Sequence, residues 1–513
     1  VTQVFSGKVE EAKTLPQLIR AAAAAYGDDI AVKLKGQTLP DDAISFAELE
    51  RRSAELARGF IARGIGKGSR VGFILGNGPT FAVTFAALTR IGAIAIPLST
   101  LLKSNELVRV LRHSDITGLI VQRTLLGHDY IQRLCEALPE LTTGSSADLR
   151  IARLPYLRWI VSFGEPLPTT LHDISWLIDA AGSVSEELLA EAESEVHTTD
   201  QAIEIYTSGS MALPKGVKHL QGPIVFRAHW LRSMIGPERG KEYHAYLPMF
   251  WVGGLMMYLM PNWVAGATTT CTETTLSNSR VAMGSVLAEE DLDKIKGPKP
   301  WWGLGMSETL GPYSWGDDFR APGYPVCAPM DHFADGYEVR IVDDHGNPVK
   351  DQDIGELQIR GYPVAPGLHK IERELYYTPD GFYRTGDMCK VDGKRVLFVG
   401  RNGDMIKTAG SNVSPAEVEM EMQQLEGIHS AYVVGLPDKE RGQLLAAAVV
   451  PRDGVQLDFV EVEGQLRKRL SSYKVPRFYM QIAREQVPML PSNKVARREI
   501  AAMLERELAK SRD

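Results

Sequence analysis

Between residues 45 and 98 the chain alternates two periods, and this alternation constrains its fold more than any other feature. Ser45-Phe-Ala-Glu48 has the form of a capping box, in which Ser45 accepts from the Glu48 amide and Glu48 reaches back. Leu49, Leu56 and Phe60 then fall on one helical face, and Gly64 ends the run. Residues 71–75 form an apolar run of strand length, 80–90 read as a helix, and 93–98 as a second buried strand. Such alternation predicts βαβ units and a largely parallel sheet covered on both faces.

Further along, the pattern changes. From about residue 336 to 361, VRIVDDHGNPV and GELQIRG are alternating strands separated by turn chemistry, which predicts a small antiparallel β unit. A boundary falls near residues 400–403. After it, Ser414-Pro415-Ala416-Glu417 forms another capping box with Pro at the first helical position. That helix runs to Gly427. Strands at 430–435 and 444–450, a helix at 459–470 and a last helix after Val495 complete a separate α+β unit. The expected architecture is α/β. A large multi-layer N-terminal lobe (1–401) carries the small β unit, and a small mobile α+β C-terminal lobe (404–513) follows a hinge at 402–403. With 513 residues the chain is too long for one compact core.

Composition excludes several classes. Apolar residues make up 44% and charged residues 24%, as in ordinary globular proteins, so a disordered or fibrous chain is excluded. The formal charge of −7, with no long basic block, argues against nucleic acid or an anionic membrane as partner. Cys135, Cys271, Cys327 and Cys389 form no CxxC pair, so neither a zinc site nor a disulfide framework is expected, and a reducing cytoplasm suits them. Residues 245–272 carry no charge and are long enough to span a bilayer. Gly253, Gly254, Pro261, Asn262 and Gly266 interrupt them, so a buried strand–helix–strand is expected and no transmembrane segment. The N-terminal residues lack the apolar core of a signal peptide.

Five motifs carry chemistry. In Tyr206-Thr-Ser-Gly-Ser-Met-Ala-Leu-Pro-Lys-Gly-Val-Lys-His219, a strand at 202–206 feeds a loop of hydroxyls and Gly before Lys215. Small residues let backbone amides approach phosphate oxygens, and Lys215 supplies positive charge. The order Pro-Lys-Gly is not that of a Walker loop; the alternative is a polar surface turn. Gly303-Leu-Gly-Met-Ser-Glu-Thr309 sets a carboxylate after a Gly-rich turn, which suits a magnesium ion on phosphates, or is an exposed Glu on a turn. Tyr383-Arg-Thr-Gly-Asp387 sets an Asp where it can accept both hydroxyls of a ribose, or in a plain β-turn. Gly400-Arg-Asn-Gly-Asp-Met-Ile-Lys-Thr-Ala-Gly410 puts Arg401 beside the boundary and Gly403 where the backbone can bend, or is a solvated linker. Pro491-Ser-Asn-Lys494 places a lysine in a loop before the final helix, or is a solvated lysine beside a basic helix start.

In this order the five motifs resemble the adenylate-forming superfamily of acyl-CoA synthetases, luciferases and peptide-synthetase adenylation domains. The resemblance covers nearly the whole chain: the first motif is similar to YTSGTTGxPKG and the fourth to GRxDDxIKxxG. It implies an AMP-forming acid–thiol ligase that activates a carboxylic acid, fatty or otherwise hydrophobic, as acyl-AMP and passes it to CoA. Non-catalytic nucleotide binding and loading of a carrier-protein thiol are the alternatives. ATP, Mg²⁺ and CoA are implied, and a homodimer is allowed.

By the same resemblance Thr207, Ser208, Gly209, Ser210 and Lys215 form the phosphate loop and Glu308 holds magnesium. Asp387 takes the ribose hydroxyls, and Arg401 the ribose or phosphate region. Lys494 serves the adenylation step. Lys407, with Gly410, serves the thioester step, and Gly403 is the hinge. Trp251, Gly253, Gly254 and Gly305 belong to the substrate pocket, Trp251 standing where many members have His, with open space expected beside the two glycines. Met211 and Ala212 replace the usual Thr and Gly, so a looser phosphate loop is implied. Between Gly254 and Gly303 the family carries a longer segment with a small-residue stretch against the adenine. Either that segment is shorter here or residues are missing from it; the first case implies open acyl and adenine sites, the second a break in the Cα trace within 268–302.

Overall fold

The structure, a computed structural model, describes residues 5–207, 215–273, 304–314, 327–329, 333–343, 345–401, 406–408, 411–413, 415–488 and 495–510. Its centre is a seven-stranded sheet: β1 (Arg70–Ile74), β2 (Ile94–Pro97), β3 (Gly118–Gln122), β4 (Trp159–Phe163), β5 (His172–Asp173), β6 (Gln201–Thr207) and β7 (Lys215–Leu220). The order is β7-β6-β2-β1-β3-β4-β5. Every neighbouring pair is parallel except the antiparallel β6–β7 hairpin.

Period-2 alternation splits the sheet's side chains between two cores. Val71, Phe73, Ala95, Ile120 and Val161 join the larger core, and Ile94, Ile96, Leu119, Val121 and Ile160 join the second. This is the doubly covered parallel sheet that the alternating sequence predicts. The helix Phe46–Ala62 begins as expected, with Ser45 Oγ accepting from the Glu48 amide at 3.1 Å. In the larger core Phe85 and Trp263 meet at 6.2 Å, both almost wholly buried. Truncating either to Ala costs ~3–5 kcal/mol at such sites.

The uncharged stretch at 245–272 folds inside this lobe. A turn at Val252–Gly254 leads into one π-helical turn, Leu255–Leu259, and a helical segment, Met260–Ala265. The strand Thr268–Thr272 then pairs with Glu242–His244 and Ile30–Lys35 in a four-stranded sheet. Among the described residues no helix is long and apolar enough to cross a membrane. The question of a shortened segment between Gly254 and Gly303 falls largely on residues 274–303, outside the described residues.

The small β unit is larger than the sequence suggests. Tyr337–Val342 and Ile354–Gly361 pair antiparallel as expected. Tyr383–Asp392, Arg395–Arg401 and Cys327–Pro329 extend them to five strands.

The C-terminal lobe has a sheet of Ser411–Val413, Ile406–Thr408, Gly442–Pro451, Ile428–Asp438 and Phe478–Gln481. Helices Pro415–Gln423 and Phe459–Arg469 cover one face through Val418, Met422, Val462 and Leu466. Arg497–Lys510 covers the other through Ile500 and Leu504.

Lys474 ties the lobes together. Its Nζ lies 2.8 Å from Glu106, on the N-lobe helix Ser104–His113, and 2.8 Å from Glu417 in its own lobe. Ser471 Oγ lies 2.8 Å from Glu106 Oε2, and Arg109 pairs with Glu421. Burial opposes the charge on Lys474, but Tyr473, Glu106 and Glu417 together outweigh it and raise its pKa.

Candidate active site

The β6–β7 hairpin sets the first motif. Thr207 stands opposite Lys215 and Tyr206 opposite Gly216, so the two ends of the intervening loop are adjacent. Ser208, Gly209 and Ser210, with Met211 and Ala212, lie outside the described residues. The base of the hairpin is a buried polar network. Tyr206 donates its hydroxyl proton to Glu204 Oε1 at 2.8 Å, and Arg70 Nη2 lies 2.7 Å from the same oxygen. With that proton committed, His113 Nδ1, 3.0 Å from the Tyr206 oxygen, must be the donor there. Burial, then the Glu204 charge, raises the Tyr206 pKa far beyond the phenol range, so the proton stays. A Cβ on Gly216 would sit 2.6 Å from Glu204 Oε1 and 3.0 Å from His369 Cβ, so the hairpin requires glycine there.

Lys215 does not form an ion pair among the described residues. Its Nζ stands 4.2 Å above the ring of Tyr376. Tyr376 lies nearly parallel to Tyr383, at 13° and 6.3 Å, and the buried Tyr383 hydroxyl donates to Glu308 Oε1 at 2.7 Å. Glu308 is on a single helical turn, Ser307–Thr309, and is 9% exposed, which rules out the exposed-turn alternative. Two further contacts hold that turn. His219 Nε2 donates to the Ser307 carbonyl at 2.7 Å, and the Ala365 amide donates to the Glu308 carbonyl at 2.7 Å. Burial lowers the His219 pKa to about 4, so the ring is neutral near pH 7 with its proton on Nε2.

Glu308 fits a hard cation. Its carboxylate offers oxygen, and among the described residues Tyr383 is the one hydrogen-bond donor to it. No group of three or more His, Cys, Asp or Glu able to hold a metal occurs among the described residues. Mg²⁺ commonly takes one or two carboxylates and draws its remaining ligands from phosphates and water, and Glu308 can supply such a carboxylate.

Asp387 is not a turn residue. It lies in the strand Tyr383–Asp392, 5% exposed, because Gly386 at φ 71° takes the bend. In register it stands directly opposite Arg401, so the structure brings together two residues from separate motifs.

Trp251 is half-buried, edge-on to Phe250 at 5.6 Å, and touches the larger core. The expected open space beside it is absent. A Cβ on Gly254 would fall 2.1 Å from the Pro248 carbonyl oxygen, and one on Gly253 2.7 Å from Leu247 Cδ1. Gly254 serves a close backbone approach, while Gly253 faces the movable end of Leu247. Gly305 is exposed, against the backbone of Pro312. Lys407, on Ile406–Thr408, is exposed with Nζ 4.9 Å from the Phe398 ring. Lys494, Gly403 and Gly410 lie outside the described residues. Tyr383 and His219 stand inside the sequence motifs without a role that the motifs reveal, and Tyr376 stands outside all five. The cue for Tyr383 is a phenol shortly before Asp387.

The family model of the AMP-binding enzymes matches residues 19–291, and that of the AMP-binding enzyme C-terminal domain matches 417–494. A feruloyl-CoA synthase from Amycolatopsis is 26% identical, the match covering 85% of this chain and 89% of that protein. A salicyl-AMP ligase / salicyl-S-ArCP synthetase from Mycobacterium tuberculosis is 27% identical over 96% and 91%. An o-succinylbenzoate CoA synthetase from Bacillus subtilis has the same fold, with a TM-score of 0.73 at 21% identity over 94% and 97% of the two chains. Fold, hairpin and matches together define an adenylate-forming enzyme, an ATP-dependent, AMP-forming acid–thiol ligase. The chain belongs to the AMP-binding enzyme family, with both the large domain and the smaller C-terminal domain.

Proposed function

We propose that this enzyme activates a hydrophobic carboxylic acid, aryl or aliphatic, as acyl-AMP and transfers the acyl group to CoA. The observation that carries the reading is the union of Lys215 and Glu308. These charges come from distant motifs, and the Tyr376–Tyr383 pair connects them.

In the first half-reaction a substrate carboxylate oxygen attacks the α-phosphorus of ATP. The bond to the β-phosphate oxygen breaks and pyrophosphate leaves. Lys215 and the phosphate loop hold the leaving phosphates, and Lys494 is assigned to the charge that develops between carboxylate and α-phosphate. Asp387 takes the ribose hydroxyls and Arg401 the neighbouring ribose or phosphate oxygens. A Mg²⁺ at Glu308 supplies charge neutralisation on the phosphate oxygens. Positioning and fixed charge dominate such a step.

In the second half-reaction the small lobe turns at Gly403. The CoA thiol then attacks the carbonyl carbon of the mixed anhydride, AMP leaves, and the thiol proton passes to solvent or phosphate. Lys407 belongs to the face presented for this step. The domain limits 1–401 and 404–513 are part of this reading. The free, buried thiols of Cys271 and Cys389 suit a reducing compartment, the cytoplasm.

Relatives named for ferulate, salicylate and indoleacetate support an aryl acid, and one named a medium-chain acyl-CoA ligase, from Mus musculus, supports an aliphatic one. Pyrophosphate release should be followed over aryl, aliphatic and polycyclic acids with ATP, with and without CoA. Acid-dependent release and a thioester product are expected. Release without any thioester would transfer the reading to a carrier-protein thiol, and no release with any acid would overturn it.

A further inference from the structure

We propose that Tyr383 and Tyr376 are positioning residues that hold the metal carboxylate and the phosphate lysine at a fixed separation. The inference rests on Glu308 as the Mg²⁺ carboxylate and Lys215 as the phosphate lysine.

Tyr383 is 3% exposed, and its hydroxyl donates to Glu308 Oε1 at 2.7 Å. One carboxylate oxygen is thereby committed and the rotation of the group is fixed. The other oxygen is left for a cation. The main chain of the same residue is held as well. Tyr377 packs edge-on to Tyr383 at 5.2 Å and donates to the Ala365 carbonyl, and the Ala365 amide donates to the Glu308 carbonyl at 2.7 Å.

Tyr376 does the complementary work. One face lies along Tyr383, and the Lys215 ammonium stands 4.2 Å from its ring centroid. A lysine beside a buried carboxylate ordinarily closes on it as an ion pair, and neither charge would then be available to a nucleotide. Here the ammonium rests on the Tyr376 ring, Tyr376 stacks on Tyr383, and Tyr383 holds the carboxylate. The cation–π contact directs the ammonium without pairing it to an anion.

The test is calorimetric binding of ATP, without acid substrate, in Mg²⁺ and in EDTA. Wild type should bind ATP more tightly in Mg²⁺, and Glu308→Gln should lose that gain; a Glu308→Gln that keeps it overturns the underlying assignment of the metal carboxylate. Tyr383→Phe should lower the Mg²⁺ gain by about 10- to 100-fold, the range for removing a ligand's hydrogen-bond partner, with EDTA affinity unchanged. Tyr376→Leu should weaken ATP binding in both buffers by about two- to fivefold, the worth of an exposed cation–π contact, and Tyr376→Phe should restore it. An undiminished Mg²⁺ gain in Tyr383→Phe, with Glu308→Gln defective, overturns the positioning role. If Tyr383→Phe fails to fold, the Tyr376 pair decides, and equal affinity in Tyr376→Leu and wild type overturns the proposal.

Discussion

His219 Nε2 lies 2.7 Å from the carbonyl oxygen of Ser307, and this contact joins the strand that begins at Lys215 to the turn that carries Glu308. The ring is fully buried, with its pKa lowered from 6.5 to about 4 by burial. As pH falls below 6.5 the unfolded chain takes up a proton that the native ring refuses, so stability falls until about pH 4 and then levels. The loss across this window amounts to about 3 kcal/mol, at ~1.4 kcal/mol for each pH unit. Denaturant unfolding followed from neutral pH down through this window should show the slope, and His219→Gln, which keeps a donor but cannot titrate, should flatten it. A slope unchanged in the variant would assign the loss to other groups.

Lys215→Met keeps the apolar stem over Tyr376 and deletes the charge. Acid-dependent pyrophosphate release should fall by about 10²–10³-fold, the scale of losing one preorganised charge stabiliser. The melting temperature should stay near that of wild type, because Lys215 has no ion pair among the described residues. Full activity in the variant would remove Lys215 from the phosphate site.

Two lysines separate the half-reactions. Lys494→Ala should abolish adenylate formation while leaving thioester formation from supplied acyl-adenylate largely intact, since its charge is proposed to act in the first transition state alone. Lys407→Ala should slow the thiol step more than adenylation. Single-turnover measurements of each step decide, and equal losses in both steps for either variant would count against its assignment.

Trp251→Ala should shift preference toward bulkier acids by ~1–3 kcal/mol in relative kcat/KM. The indole touches the larger core as well as Phe250, so a drop in melting temperature should accompany the shift. Unchanged selectivity with a lower melting temperature would make Trp251 a core residue and no more.

Much of the fold was legible because its signals are local. Ser45 and Glu48 announce a helix start within a single turn, and strands such as 71–75 and 93–98 are apolar on both faces because both faces are covered. The wide β unit was less legible. Tyr383–Asp392 and Arg395–Arg401 form a hairpin with each other, but they become central through outer partners farther off in sequence, Ile354–Gly361 and Cys327–Pro329, and a strand pattern alone does not reveal its partners. Within the site, charged residues in Gly-rich surroundings were conspicuous. Tyr376, Tyr383 and His219 were not, because their positions matter through what they touch: an ammonium, a carboxylate and a carbonyl contributed by other segments. The misjudged space beside Trp251 has the same origin. Gly253-Gly254 looks like room in a sequence, whereas in the fold the space is taken by Leu247 and the Pro248 carbonyl.

The buried contact of Lys474 with Glu106 and Glu417 has a kinetic consequence. If the small lobe turns between half-reactions as proposed, Glu106 must part from Lys474 and Ser471, and Arg109 from Glu421. Stranding one member of a buried charge pair costs ~3–5 kcal/mol, enough to slow a step by about 10²–10⁴-fold unless incoming water or new contacts offset it during the turn. The clasp would then act as an escapement, setting the dwell time of the enzyme in this orientation and with it the pace at which one half-reaction yields to the next.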